Sequence, residues 1–191
     1  ADVVLAVGLS NRVNDLKMAS DRCALHPPAV DSARLGKDAR PRADQPPPQA
    51  NTTIDRETEC AMLYTSGTTG RPKGCILTND YFITAGEWYL SLGGDATLLG
   101  DSDRVLNPLP LYHMNALAVT ATGMMCGGGC LISPDRFHPT SWWDDVISTR
   151  ATVIHYLGAV PPLLMNLPIS DAESNHSVRF GGGAGIDPDH H

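Results

Sequence analysis

The chain has 191 residues with 14 Lys+Arg against 21 Asp+Glu, and a formal net charge of -7 offers no basic field to a nucleic-acid backbone. Hydrophobic residues at 42% and charged residues at 18% are globular composition, unlike a disordered segment, and the length suits one domain with a real core. Five scattered cysteines (Cys23, Cys60, Cys75, Cys126, Cys130) are an odd set rather than a disulfide framework, which points to a reducing, cytoplasmic compartment.

The first residues lack an initiator Met and any basic region ahead of an apolar stretch, so no secretory signal is read and the chain is expected to begin within a longer protein. The longest run without formal charge, 105–134, is broken by Pro108, Pro110 and three consecutive glycines, so no membrane span is expected. Residues 3–7 predict a buried strand, 11–20 a helix and 23–25 a weak second strand, an α/β opening over 1–30. Residues 31–53 turn polar and proline-rich, as in a surface connection. The remainder, 54–191, forms the third segment.

There, 60–64 and 75–77 predict two strands joined by a Thr/Ser/Gly loop. Thr78 is placed to cap a helix whose Tyr81, Phe82, Ala85, Trp88, Tyr89 and Leu92 recur at core-facing spacing, and Gly93-Gly94 ends it. From Arg104 the pattern alternates: strand 104–107, helix 115–125, strand 130–132, helix 141–150, strand 152–156, a short helix to about residue 167 and strand 178–180. Ser141 and Asp144 read as a variant capping box. Such alternation predicts a mostly parallel sheet with flanking helices and right-handed crossovers. Segments 109–115, 157–160 and 181–185 each follow a strand, so they are expected to gather at the carboxyl edge of the sheet as one ligand cleft.

The loop after Tyr64 offers four hydroxyls (Thr65, Ser66, Thr68, Thr69), three glycines (Gly67, Gly70, Gly74) and the cations Arg71 and Lys73. Glycines let amides face a ligand, hydroxyls donate to phosphate oxygens and Lys73 adds a point charge, which together make an anion cradle. The spacing is not that of a P-loop NTPase, because Gly67 and Gly70 are three apart and Gly74 follows Lys73. A surface Ser/Thr/Gly turn is the ordinary alternative.

The full string Tyr64-Thr-Ser-Gly-Thr-Thr-Gly-Arg-Pro-Lys-Gly74 resembles the phosphate motif of the adenylate-forming superfamily of acyl-CoA synthetases, luciferases and peptide-synthetase adenylation domains. Pro108-Leu-Pro-Leu-Tyr-His-Met-Asn115 resembles its aromatic/His motif, and Phe180-Gly-Gly-Gly-Ala-Gly185 its adenine-side loop, in the family's order. The wording Val153-Ile-His-Tyr-Leu-Gly158 further resembles the crotonobetaine/carnitine-CoA ligase branch.

The resemblance implies part of the family's large N-terminal domain. Thr65, Ser66, Gly67, Thr68, Thr69, Gly70 and Lys73 would wrap the β- and γ-phosphates of ATP, and Gly182, Gly183 and Ala184 would border adenine. It implies catalytic roles for His113 and Lys73, and an acyl cavity lined by Tyr112, Met114, Asn115, Tyr156, Leu157 and Gly158. It also implies ATP, coenzyme A and magnesium as cofactors, a small-molecule carboxylate substrate, and a place in fatty-acid metabolism. The family's magnesium-binding Glu, ribose-binding Asp and small C-terminal domain with its catalytic lysine have no counterpart in this sequence. The chain is therefore expected to be an inactive fragment of a carboxylate–CoA ligase, with faces left uncovered that leave self-association open. The alternative is a non-catalytic nucleotide-binding or merely folded, assembling fragment.

Outside these motifs the ordinary readings prevail. His155 within a strand pattern is expected to be packed and hydrogen-bonded. Cys126 and Cys130 lack a second pair for zinc, so no metal site is assigned. Asp144 and Asp145 complement a helix dipole, and His190 and His191 receive no role.

Overall fold

A computed structural model describes residues 6–8, 10–22, 28–34, 53–65 and 70–185, and the chain divides into two compact units, Ala1–Thr53 and Ile54–His191. In the first, strands β1 (Ala6–Gly8) and β2 (Ala29–Asp31) pair in parallel, with helix α1 (Val13–Ser20) between them in sequence. The Asp31 carboxylate accepts from the Ser10 hydroxyl at 2.8 Å and the Ala33 amide at 2.9 Å, tying together the turns after the two strands. The expected strand at 23–25 and most of the proline-rich segment lie outside the described residues.

The second unit opens with an antiparallel hairpin, β3 (Glu59–Thr65) and β4 (Lys73–Thr78), which runs directly into helix α2 (Asn79–Leu90). Arg56 fixes this helix from outside, reaching Asp80 at 2.8 Å and Glu87 at 3.0 Å. Thr78 takes the N-cap position with extended backbone, but its hydroxyl makes no cap hydrogen bond. Tyr89 is buried, and Ala85 and Leu92 pack against the same cluster, whereas Trp88 is 56% exposed and does not belong to the core stripe. Neighbouring helix positions point about 100° apart, and here the core covers the Tyr89 side of the stripe and leaves Trp88 outside it.

Strands β5 (Arg104–Leu106), β6 (Cys130–Ile132), β7 (Val153–Leu157) and β8 (Phe180–Ala184) form a fully parallel sheet in the order β6-β5-β7-β8. Period-two alternation sends Val105 and Val153 to one face, with Tyr89, Val119 and Met124, and Leu106 to the other, with Trp142 and Val146. Both faces are covered, as parallel sheets require. Burying each of these aliphatic side chains contributes about 1.5–3 kcal/mol.

Three elements depart from the sequence reading. The helix expected over 115–125 begins as a π-helix (Asn115–Ala121) and continues as α3 (Thr122–Gly127). The Thr120 and Thr122 hydroxyls donate to the carbonyls of Asn115 and Leu117, each at 3.1 Å and five residues back, which matches the wider turn. Helix α4 (Trp142–Ser148) is preceded by a 3₁₀ turn, Pro139–Ser141, so Ser141 reaches Asp145 at 3.3 Å instead of forming the expected box with Asp144. Ser170 and Glu173 form the capping box instead. Finally, the glycine run is strand β8 itself rather than a loop after one.

At the amino edge of the sheet, the fully buried Asp103 accepts from the Arg179 guanidinium, the Leu99 amide and, at 3.1 Å, the Thr152 hydroxyl. Arg179 also donates to the Thr97 carbonyl at 3.0 Å. This cluster joins the segments leading into β5, β7 and β8. Among the described residues no helix is long and apolar enough to cross a membrane.

Candidate functional site

The β3–β4 hairpin sets Thr65 directly opposite Lys73 and Tyr64 opposite Gly74, so the neck of the Ser/Thr/Gly loop carries a hydroxyl facing an ammonium-bearing residue. Ser66, Gly67, Thr68 and Thr69 lie outside the described residues. Gly70 returns the chain with φ +82°, a left-handed conformation that disfavours a Cβ.

Beside this neck lies a cavity of about 250 Å³ whose lining includes Tyr64, Thr65, Tyr81, Tyr112, His113 and Met114. The β3–β4 hairpin and the Tyr112-His113 turn, more than forty positions apart in sequence, therefore line one cavity. The Tyr112 and His113 rings lie 4.7 Å apart, and both side chains are exposed. Met114 also borders a second cavity of about 620 Å³, with Tyr81, Ala85, Trp88 and Val119.

Asn107, at the end of β5, holds the turn that carries His113. Its amide donates to Thr120 at 2.8 Å and to Asn115 at 3.2 Å, and its carbonyl oxygen accepts from the Leu109 amide at 2.9 Å. Asn107 and Thr120 are fully buried, so this is a satisfied polar clamp rather than a solvated contact. Sequence reasoning missed Asn107; its signal was an amide side chain between a strand end and Pro108-Leu109-Pro110, where the backbone lacks donors. Asn115 was read as an acyl-cavity residue, and its side-chain oxygen serves this clamp.

A second group collects at the carboxyl ends of β7 and β8. Leu157 pairs with Ala184, and the Gly158 amide donates to the Ala184 carbonyl at 2.9 Å. Tyr156 lies over Gly181, where a Cβ would stand 2.8 Å from its ring, so a larger residue there would have to displace the ring. Tyr156 lines a separate cavity of about 200 Å³ with Trp142 and Ile154, on the sheet face opposite His155.

His155 is 5% exposed, with Nε2 2.8 Å from the Tyr89 hydroxyl, and its imidazole faces Gly182. Burial pushes its pKa down from 6.5 to about 4. Burial, and secondarily the Asp103 charge, raises that of Tyr89. Since the folded value lies below the unfolded one, the unfolded chain takes up the proton first as pH falls. Stability is thus expected to be constant above pH 6.5 and to drop by about 3 kcal/mol on acidification to pH 4. Urea unfolding across that range checks this, and His155→Gln should flatten the profile; an equally steep profile in the variant refutes the buried neutral imidazole.

Among the described residues no three His, Cys, Asp or Glu side chains gather as a metal site.

The chain is 32% identical over 142 residues to the medium/long-chain-fatty-acid–CoA ligase FadD6 of Mycobacterium tuberculosis, covering 74% of this chain and 23% of that protein. It is 35% identical over 148 residues to the sulfoacetate–CoA ligase of Cupriavidus necator, covering 76% and 27%. It thus spans about a quarter of the length of these curated relatives. In fold it resembles the N-terminal domain of FACL13 from Mycobacterium tuberculosis, with a TM-score of 0.70 at 23% identity over 96% of this chain and 46% of that one. That likeness shows that the chain shares the α/β fold of that domain over nearly its whole length. The AMP-binding enzyme model matches residues 3–191, a span that runs through the hairpin, the aromatic/His turn and the glycine strand in order, and the chain belongs to that family.

Proposed function

We propose that this chain is the nucleotide-cleft portion of an ATP-dependent carboxylate–CoA ligase. The observation that carries the reading is the cavity in which Thr65, opposite Lys73, meets Tyr112, His113 and Met114. In the first half-reaction a carboxylate oxygen attacks the α-phosphorus of ATP, the bond to the β-phosphoryl oxygen breaks, and pyrophosphate leaves. Lys73, Thr65 and the loop from Ser66 to Gly70 stabilise the charge gathering on that leaving group, which is catalysis by positioning and electrostatics. Gly182, Gly183 and Ala184 border adenine, and His113 lies at the passage to the acyl side. Tyr112 and Met114, with Leu157 and Gly158, shape the acyl cavity, Asn115 supports it through the Asn107 clamp, and Tyr156 lines the separate cavity on the other sheet face.

In the second half-reaction the thiol of coenzyme A attacks the acyl carbon and AMP departs. Magnesium, when bound, would neutralise phosphate charge, with its carboxylate ligand supplied from outside the described residues. Cys60, Cys75, Cys126 and Cys130 are all free thiols, which favours a cytoplasmic location. Exposed Met62, Tyr64 and Ile76 on the hairpin favour self-association of the chain on its own.

ATP–pyrophosphate exchange with a panel of carboxylates tests the proposal. The full-length protein should support exchange with at least one acid, and this chain alone should not. Robust exchange by the chain alone overturns its inactivity, and silence from the full-length protein with every acid overturns the ligase.

A further inference from the structure

Strand β8 has almost no side chains with which to hold its register. A one-residue slip moves each position by about 3.3 Å and exchanges the two faces, and glycine-rich strands specify register weakly. Arg179 and Phe180 hold the start of the strand through Asp103 and the core, and along the glycines, where among the described residues β8 pairs with β7 alone, the restraint comes from β7. Two of its rings supply it. Tyr156 covers Gly181 from one face, and His155 covers Gly182 from the other, its Nε2 lying 3.4 Å from where a Cβ would stand.

The imidazole is itself held, because the Tyr89 hydroxyl meets Nε2 at 2.8 Å and the rings are edge-on at 75°. Tyr89 lies in the last turn of α2, whose first turn follows directly on β4 of the hairpin. An apolar pair would pack here without penalty, whereas His155 Nδ1 is buried without a hydrogen-bond partner. Two neutral groups sharing one hydrogen bond leave one further polar atom unsatisfied, a cost that an apolar pair avoids. What the polar pair adds is direction: a hydrogen bond fixes the ring plane, and dispersion contact does not.

We propose that His155, held by Tyr89, is a positioning residue that sets the register of β8 and thereby the placement of Gly182, Gly183 and Ala184 relative to the phosphate hairpin. The link to catalysis rests on the reading of those three residues as the adenine border.

The test uses His155→Leu, His155→Gln and Tyr89→Phe in the full-length protein, with two readouts: amide hydrogen exchange and the separate KM values for ATP and carboxylate. His155→Leu and Tyr89→Phe should speed exchange at residues 180–184 about tenfold relative to β5, and raise KM for ATP by a similar factor, the effect of losing one buried hydrogen bond. KM for the carboxylate should stay within about twofold of the wild type, and His155→Gln, which still reaches Tyr89, should restore most of both. Protection lost equally across β5, β7 and β8 overturns the register role. KM values that rise together overturn the link to the nucleotide. A wild type inert toward ATP sinks the ligase reading alone, and the exchange comparison still decides the register claim.

Discussion

Replacing Lys73 with alanine in the full-length protein is expected to slow acyl-AMP formation about 10²- to 10³-fold, the loss that follows removal of one preorganised donor to developing negative charge. Lys73 is the first residue of β4 and pairs with Thr65 across the hairpin, which puts it at the mouth of the loop. On the proposed reading pyrophosphate departure concentrates charge there, so the defect should fall on ATP–pyrophosphate exchange and leave thiol transfer from preformed acyl-AMP nearly intact. Lys73→Arg should recover part of the rate, since it keeps the charge but not the compact ammonium. Unchanged exchange in Lys73→Ala removes the residue from the leaving-group site.

Asp103→Ala is expected to destabilise the second unit by about 1–3 kcal/mol, because the buried carboxylate accepts from a hydroxyl, an amide and a partly exposed guanidinium that would lose their acceptor. The carboxylate is the shared acceptor for Arg179, Thr152 and the Leu99 amide, groups from three segments that enter the sheet. Its removal strands all three at once. Asp103→Asn should lose less, because one oxygen still accepts. Urea unfolding measures both, and a loss under about 1 kcal/mol, the value of an exposed pair, shows that Asp103 does not anchor the sheet.

Much of the second unit was legible because its elements are bounded by strong local signals. The hairpin strands, α2 and the order of parallel strands are written in short β-branched runs, helical spacing and glycine punctuation. The errors have local causes. Trp88 fits a helical stripe by spacing, but spacing does not say which edge of the stripe neighbours cover. The π-helix was invisible because its i−5 pattern depends on Thr120 and Thr122 reaching back along the chain. Strand β8 was read as a loop because glycine has low strand propensity, and pairing with β7 overrode that preference.

For the site, the sequence by itself determined which residue types are available: a hydroxyl- and glycine-rich loop closed by Lys73, a proline-framed Tyr112-His113, and a glycine run ending at Ala184. These are dictated locally, since phosphate binding needs flexible backbone, donors and charge within a few positions. Only the tertiary structure decided what those residues stand against. It set Tyr112 and His113 beside Thr65, gave Asn107 the turn to hold, turned Tyr156 to the face opposite His155, and joined Asp103 to a cation 76 positions away. Such contacts depend on register and on which sheet face each strand position occupies, and they cross many residues of chain. A one-residue shift would reverse them while leaving every local motif unchanged.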